Sequence, residues 1–249
     1  VVDTRPPSRL EVEGSRLQQV FLGAEVRTDF VPEDAGLGLM ENMRRDEVGF
    51  TFDYIVPLGD GRVLVEPTRF SPAPVYIERL EADLELALER YFRGTPYAIL
   101  RTEHGVIPMG LPIESRRYSP RIVLAGAAGG ALRASSGYAF MDIQKWATGC
   151  ARSILAGQGP VGQSPRSRVL DWMDRLFLDV LRANPTSAPE LFTRLAERVP
   201  VGTFVPFMTG EASPRAVWRV IRSLPARPFL RQILFPSRKL PANNELFHS

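Results

Sequence analysis

The stretch FTFDYIVPLGDGRVLVEPTRFS, residues 50–71, decides the fold. Aromatic and aliphatic residues alternate on both sides of a Gly-Asp-Gly tripeptide at residues 59–61, a pattern typical of a β-hairpin with one buried face. In the second strand of this predicted hairpin, Leu64 and Glu66 share a face. The hairpin therefore predicts a carboxyl group held beside apolar side chains.

Glu66 is the candidate functional residue of this hairpin. A carboxyl group beside apolar side chains resists ionisation and can donate a proton near neutral pH. This makes Glu66 a candidate general acid for an apolar substrate. The alternative interpretation is a solvent-facing glutamate on an edge strand, because charged strand residues usually face water.

Composition limits the class of protein and excludes several kinds of site. The chain has 249 residues, of which 44% are hydrophobic and 24% charged, as in ordinary globular domains. Its single cysteine, Cys150, excludes an intrachain disulfide and suits a reducing cytoplasm, and two histidines are too few for a His-based metal centre. The net charge of +3 is too small to indicate nucleic-acid binding. No apolar run is long enough to span a bilayer, so we expect a soluble or peripheral protein without a metal.

Residue patterns predict an antiparallel sheet crossed by a helix and followed by helices. The predicted helix covers residues 78–92, where apolar residues recur at helical spacing with acidic residues on the other side. After Tyr138 the sequence is helical in pattern, interrupted by prolines. The remaining predicted strands are residues 17–30, 36–43, 97–102, 105–109 and the short buried strand 121–125.

A glycine-rich segment follows the last predicted strand. Small residues let backbone N–H groups approach a ligand, and a helix N-terminus favours an anion or an electron-rich carbonyl. The segment predicts a loop that binds a phosphate or a flavin ring edge, although such loops also occur where a helix merely packs tightly on a strand. The candidate ligand-binding residues are Gly126, Ala127, Gly129, Gly130, Ser135, Ser136, Gly137 and Tyr138.

Taken together, these stretches resemble the lycopene cyclase family of flavoproteins, of the bacterial and plant β-cyclase type. The resemblance covers nearly the whole chain, in the order that the family has. It rests on residues 1–5 (VVDTR), 19–25 (QVFLGAE), 52–58 (FDYIVPL), 64–68 (LVEPT), 103–109 (EHGVIPM), 126–140 and 176–181 (LFLDVL).

The resemblance implies a fold, a cofactor and a reaction. The fold implied is a mixed α/β flavoprotein fold like that of glutathione reductase or hydroxybenzoate hydroxylase, with bound FAD that works in its reduced form and NAD(P)H as reductant without net redox. The reaction implied is cyclisation of the linear ends of lycopene to β-rings, an isomerisation classed as an intramolecular lyase reaction. Glu66 matches the glutamate held to start cyclisation, and residues 126–140 match a flavin-contacting region of the family.

Cyclisation of a carotenoid requires an acid in a dry slot and aromatic faces that tolerate a cation. Phe52, Tyr54 and Tyr138 are candidates for that lining, with Leu64 beside them, although each aromatic residue considered singly could be ordinary core. The substrate dissolves only in lipid, so a cytoplasmic enzyme must work peripherally at a membrane surface. Segments 166–182 and 227–235 combine apolar stripes with arginines, which is typical both of interfacial helices and of core helices.

The sequence departs from the family at its start, where no Gly-x-Gly-x-x-Gly-type turn is present. We therefore expect that the dinucleotide-binding segment of a family member is missing and that residues 1–249 alone do not retain FAD. The predicted division is a substrate-binding sheet with one helix (1–110), a return to the FAD-binding domain (111–160) and a helical region (161–249). Two alternative functions remain open: another flavoprotein of the same superfamily, either a monooxygenase or a polyene oxidoreductase, and a non-catalytic carrier of hydrophobic ligands.

Overall fold

The computed structural model describes residues 1–29, 36–47, 49–111, 122–164 and 166–236. Its strands are β1 (Val2–Asp3), β2 (Leu17–Arg27), β3 (Gly38–Arg45), β4 (Phe50–Gly59), β5 (Arg62–Ser71), β6 (Ala98–Met109) and β7 (Val123–Leu124). Its helices are α1 (Arg9–Glu13), α2 (Ile77–Phe92), α3 (Gly126–Gly129), α4 (Phe140–Leu155), α5 (Arg168–Ala183), α6 (Ala188–Arg198), α7 (Val201–Met208), α8 (Pro214–Ser223) and α9 (Ala226–Leu234), with a 3₁₀ turn at Pro185–Ser187. The fold is therefore mixed α/β.

The predicted hairpin is confirmed and forms the middle of a five-stranded sheet. The strand order is β3-β4-β5-β2-β6, and β5 pairs antiparallel with both β4 and β2. Gly59, Asp60 and Gly61 all have positive φ angles, 81°, 53° and 69°, as a tight turn between twisted strands requires. The backbone N–H of Thr28 donates to the carbonyl of Gly61, which ties the turn to the end of β2.

Helix α2 covers one face of this sheet, as the sequence pattern predicts. Alternate apolar residues of β2 and β5 point toward the helix, and its apolar residues recur three and four positions apart. The buried cluster consists of Val20, Leu22, Ala24, Val26, Val63, Val65, Leu80, Leu84, Ala87, Leu88 and Phe92. Since Val63 and Val65 belong to this cluster, the residues that alternate with them on β5 lie on the opposite face of the sheet.

A buried ionic cluster fixes the helix to the strands. Arg69 of β5 is 1% exposed and pairs with Asp83 of α2, with its Nη2 atom 2.9 Å from Asp83 Oδ1. The same guanidinium donates to Asp46, which follows β3, with Nη1 2.8 Å from Asp46 Oδ1. A buried arginine needs such partners because an unpaired buried charge is strongly destabilising.

The sheet and α2 lie in one compact unit, Leu17–Ile107, and the rest of the described chain forms a second unit. In the second unit β1 and β7 form a parallel pair, and α4 to α9 follow. Val199, Phe207 and Val220 form a buried cluster with residues of α5 and α6 packed on it. The predicted three-part division of the chain stays a prediction.

Several predicted boundaries are corrected by the structure. The strand predicted at 17–30 ends at Arg27, and Phe30 lies outside the described residues. The two strands predicted at 97–102 and 105–109 are one continuous strand, β6. The strand predicted at 121–125 is reduced to Val123–Leu124 and is only half-buried, since it belongs to a two-stranded sheet; Arg121 is not among the described residues.

Candidate functional site

Glu66 lies on the central strand of the sheet, on the face opposite α2. The order of the strands places β5 between β4 and β2, and the side chain of Glu66 is half-buried. The alternative interpretation of a solvent-facing glutamate on an edge strand is therefore wrong. Tyr54 of β4 is directly opposite Glu66 in the register, and antiparallel partners share a face.

Gly23 of β2 leaves the space into which Glu66 fits. A Cβ atom placed on Gly23 would lie 3.2 Å from both Cβ and Cγ of Glu66, closer than ordinary van der Waals contact. The same position would lie 3.4 Å from Cγ of Glu103 on β6. Since β2 separates β5 from β6, a side chain at position 23 would stand between the two glutamates.

The environment of Glu66 favours its protonated form. Partial burial, followed by the negative charge of Glu103, raises the pKa of Glu66 to about 7. The hydroxyl of Thr68 donates to Glu66 Oε1 at 3.4 Å and acts in the opposite direction. Within the described part of the chain, no salt bridge reaches Glu66. A carboxyl group with this pKa remains partly protonated near neutral pH and can donate its proton.

Aromatic side chains extend from Tyr54 along the same face. The rings of Tyr54 and Phe52 meet edge to face with centroids 5.2 Å apart, and Phe52 meets Phe70 in the same way at 5.2 Å. Phe52 is fully buried, whereas Tyr54 and Leu64 are half-buried. The structure therefore brings together Glu66, Phe52, Tyr54 and Leu64, the four site residues predicted within this unit.

Charged residues of β2, β5 and β6 occupy the rest of this face of the sheet. Glu25 of β2 binds Arg62 of β5 at 3.1 Å and Arg101 of β6 at 2.7 Å. Arg101 also reaches Glu103, with Nη1 3.4 Å from Oε2. Hydrogen bonds from these arginines, that of Arg101 first, lower the pKa of Glu25. Glu25 is thus a paired anion, in contrast to Glu66.

Sequence reasoning missed Glu103 and Gly23. Both residues belong to motifs of the chain that resemble the family, yet nothing in either motif tells which strands are neighbours. The signal that could have found them is a glycine inside a strand, because such a glycine often marks a close approach of another group. The partner of that glycine becomes visible only with the strand order.

The glycine-rich segment forms β7, α3, a turn and the start of α4 in the second unit. Gly126 has φ +67°, and a Cβ placed there meets no described atom within 4 Å. Gly129 differs, because its Cβ would lie 2.8 Å from the backbone C and O atoms of Leu124. Close helix-on-strand packing therefore explains Gly129, while the space beside Gly126 is open.

The polar residues of the segment have partners within the unit. Ser135 Oγ donates to Asp174 Oδ1 of α5 at 2.9 Å, and the N–H of Tyr138 donates to Ser136 Oγ at 3.3 Å. Gly137 has φ +67° and its N–H donates to the carbonyl of Arg133. These bonds shape the turn that precedes α4. Tyr138 is 37% exposed at the end of this turn.

Arg133 and Asp174 are a buried pair that the sequence did not reveal. Arg133 is 1% exposed and binds Asp174 through two bonds of 2.8 and 2.9 Å. Its guanidinium also donates to the carbonyl of Phe207 and lies 4.2 Å from the centroid of that ring. This arrangement is a structural anchor for the turn, because all of its charge is satisfied internally.

A polar cavity of about 350 Å³ lies beside the same turn. Gly130 and Arg133 contribute to its wall together with Gln163 and Arg166. Gln163 Oε1 and Arg166 Nε are buried there without a hydrogen-bond partner among the described residues. Such atoms require a partner, so we expect ordered water or a polar ligand in this cavity.

The segment fits the flavin that the resemblance implies. The open position at Gly126 lets a ligand approach the backbone closely. Helix α4 has 16 residues, and no side chain caps its N-terminus, which leaves its first amide groups available to an acceptor. Among the residues described, no cluster of metal-ligating side chains is found.

The last two helices expose apolar and basic side chains together. Helix α8 exposes Trp218 and Ile221 beside its arginines, and the end of α9 exposes Leu234 and Phe235, which are 68% and 74% exposed. Helix α5 instead buries Leu178, Val180 and Leu181. Segment 166–182 thus contributes to the core of the second unit, although Val169 and Trp172 are exposed, and both interpretations of segment 227–235 stay open. In the described chain, no helix has the length and apolar character needed to cross a bilayer.

The sequence matches the family model described as lycopene cyclase protein over residues 1–234. No curated protein matches it significantly. Among solved structures, the chain is similar to a geranylgeranyl bacteriochlorophyll reductase-like protein from Thermoplasma acidophilum, with 13% identity and a TM-score of 0.48, over 89% of this chain and 55% of that one. It is also similar to a Diels-Alderase of pyrroindomycin biosynthesis, with 19% identity and a TM-score of 0.34, over 85% of this chain and 43% of that one. The chain thus spans about half the length of these two proteins.

Proposed function

We propose that the intact protein cyclises a carotenoid. The proposal starts from the finding that this chain belongs to the lycopene cyclase family. The single observation that best supports the proposal is the half-buried Glu66, whose carboxyl group has a pKa raised to about 7 and lies opposite Tyr54 on its face of the sheet. An acyclic polyene offers no polar group to a protein. Its reaction has to begin with a proton delivered to carbon, and Glu66 is suited to deliver it.

The proposed reaction follows from this placement. Glu66 protonates the terminal double bond of an acyclic end of lycopene, which gives a tertiary carbocation. The neighbouring double bond attacks the cation and closes the ring, and loss of a ring proton leaves a β-ring. The face of Tyr54 stabilises the positive charge without trapping it, the buried Phe52 supports the Tyr54 ring by edge-to-face contact, and Leu64 keeps the surroundings apolar. The product is an isomer of the substrate, so the enzyme is an intramolecular lyase.

The cofactor in this proposal is FAD, held in part by the glycine-rich segment within a flavoprotein fold of the hydroxybenzoate-hydroxylase or glutathione-reductase type. Reduced FAD, when bound, would supply electron density to the reaction, with NAD(P)H as its reductant and no net redox. The residues that would hold it are Gly126, Ala127, Gly129, Gly130, Ser135, Ser136, Gly137 and Tyr138. The packing role of Gly129 and the open position at Gly126 suggest that Gly126 lies closer to the ligand.

The substrate dissolves in lipid, so we propose that the protein works peripherally at the cytoplasmic face of a membrane. The exposed apolar side chains of α9 and its arginines, Arg227 and Arg231, suit the boundary between acyl chains and anionic headgroups.

A bacterial host that accumulates lycopene provides the direct test. The intact gene is expressed there and the pigments are separated by chromatography. We expect lycopene to decrease and a cyclic carotenoid to accumulate. An oxygenated or dehydrogenated product would favour another flavoprotein activity, and lycopene bound to the purified protein without ring formation would favour a carrier.

A further inference from the structure

Glu66 and Glu103 approach each other across a strand that carries no side chain at the point of contact. The Cβ position of Gly23 lies within 3.4 Å of the side chains of both glutamates. Residues two strands apart in a sheet are normally separated by the side chain of the strand between them. At Gly23 that side chain is missing, so two acidic residues are placed close together on a half-buried surface.

The two carboxyl groups are held in different surroundings. Glu103 has the guanidinium of Arg101 beside it at 3.4 Å, and its side chain is 36% exposed. Glu66 has the hydroxyl of Thr68 and the ring of Tyr54 as neighbours. Glu103 thus has a cation beside it, whereas the surroundings of Glu66 raise the pKa of its carboxyl group.

The remaining charged groups on this face include three arginines, of which Arg27 lies opposite Arg62 at the end of β2. Glu25 on β2 is shared between Arg62 on β5 and Arg101 on β6. Tyr54 on β4 is neutral, because burial and the nearby Glu66 raise the pKa of its phenol to about 12. Glu103 is therefore the group on this face whose charge acts most directly on Glu66.

We propose that Glu103 is the positioning residue that holds the initiating proton on Glu66. Glycine at position 23 of β2 has no side chain between the two carboxyl groups and so allows them to share that proton. This inference rests on the proposed function of Glu66 as the acid. The assignment gives Glu103 no contact with substrate; it acts through the charge and the hydrogen bond that it offers to Glu66.

The sharing of one proton also accounts for the full cycle without a further reactant. When the O–H bond of Glu66 breaks, the π electrons of the substrate form the new C–H bond, and both glutamates become anions. The negative charge of Glu103 opposes the anion of Glu66, so Glu66 binds a proton more strongly than an isolated carboxylate does. When the ring C–H bond breaks, its electron pair forms the ring double bond and its proton returns to Glu66. No oxidant or reductant is consumed.

The proposal can be tested in the intact protein by titration of Glu66, independently of activity. Glutamate labelled with ¹³C at its carboxyl carbon is incorporated, and Glu66→Gln identifies the Glu66 signal. We expect a midpoint near neutral pH in the wild type. In Glu103→Gln the midpoint should fall by about one pH unit, since a like charge is removed. It should stay above the usual glutamate value, because the burial of Glu66 is unchanged.

Two further variants make the test specific. Glu103→Asp retains the charge and should restore most of the shift. Gly23→Ala, which places a methyl group between the two side chains, should lower the midpoint in the same direction as Glu103→Gln. Glu85→Gln removes an equal charge from the exposed side of α2 and should leave the titration unchanged.

The pH dependence of ring formation provides the second readout. The alkaline limb of the rate profile should move to lower pH in Glu103→Gln by the same amount as the midpoint of Glu66. An unchanged Glu66 midpoint in both Glu103→Gln and Gly23→Ala would overturn the proposal. If the wild type titrates as expected but forms no ring, the pairing of the glutamates stands and the proposed cyclase function fails.

Discussion

At the scale of single residues, the site depends on one carboxyl group that the fold prevents from ionising easily. Glu66 is half-buried beside a second carboxylate, and its burial and that neighbouring charge both disfavour its negative charge. The effect has a chemical cost, because a carboxyl with a raised pKa is a weaker acid than a free one. Its advantage for the proposed function is that part of the protein still carries the proton near neutral pH.

Removal of the proton donor should stop ring formation selectively. Glu66→Gln keeps the shape of the side chain but has no acidic proton. We expect the rate of cyclisation to fall about 100-fold or more, the range typical of a lost general acid, while flavin content and thermal stability stay near or above the wild-type values. Chromatography of carotenoids and flavin absorbance measure the two quantities. Undiminished cyclic product would remove Glu66 from the mechanism.

The same residue should make the stability of the fold depend on pH. The pKa of Glu66 is about 7 in the folded protein and close to its ordinary value of 4.5 in the unfolded chain. Between these values the folded state binds more protons, so the stabilisation present below pH 4.5 is lost as pH rises toward 7. Glu66→Gln should therefore have a higher Tm than the wild type at pH 8 and a similar Tm at pH 4. Equal differences in Tm at both pH values would contradict this.

At the scale of elements, the hairpin and α2 could be predicted from sequence, since their patterns are local. Alternation on β4 and β5 and the helical spacing of residues 77–92 are complete within each segment. The order of strands is set by contacts distant in sequence, so Glu103 could not be associated with Glu66. Arg133 and Asp174 were missed for the same reason, because the partners are 41 residues apart.

Two glycines of the segment 126–129 should respond differently to substitution. Gly129→Ala forces a methyl group against the backbone of Leu124 and should destabilise the fold by about 1–3 kcal/mol, as overpacking does. Gly126→Asn introduces a residue type that tolerates positive φ, and its side chain would extend into open space. It should reduce flavin occupancy of the intact protein with little change in Tm. Full flavin absorbance in the Gly126 variant would make the segment a packing element only.

At the scale of the whole molecule, the class of fold and the family were both accessible from sequence. The structure confirms a mixed α/β chain with an antiparallel hairpin sheet, and the family match extends over residues 1–234. The sequence could not predict which apolar segments of the second unit are exposed and which are buried. Segments 166–182 and 227–235 both combine apolar residues with arginines, but packing within the second unit buries Leu178, Val180 and Leu181 of the first and leaves Leu234 and Phe235 of the second exposed.

The exposed end of α9 should determine membrane affinity. Leu234→Asp with Phe235→Asp places two charges where apolar side chains would enter the acyl region, and we expect several-fold less protein to sediment with anionic vesicles. Leu86→Asp, on an exposed position of α2, is the matched control and should bind as the wild type does. Equal loss of binding in both variants would show that added negative charge, and not the surface of α9, is responsible.

The position of β6 at the edge of the sheet, next to β2, has a consequence for the order of folding. The hairpin β4–β5 closes through a short turn, whereas β6 can join β2 only after a loop of about 70 residues closes, which is slower and entropically more costly. Glu103 arrives with β6, and Glu66 is already in place. A chain that has collapsed around the hairpin and α2 therefore still has an ordinary surface glutamate, and the proton-holding pair comes into being only with the last strand of the sheet. We therefore expect the pairing of Glu66 with Glu103 to form late in the folding of this unit, in the step in which β6 joins β2 and completes the hydrogen bonding of the sheet.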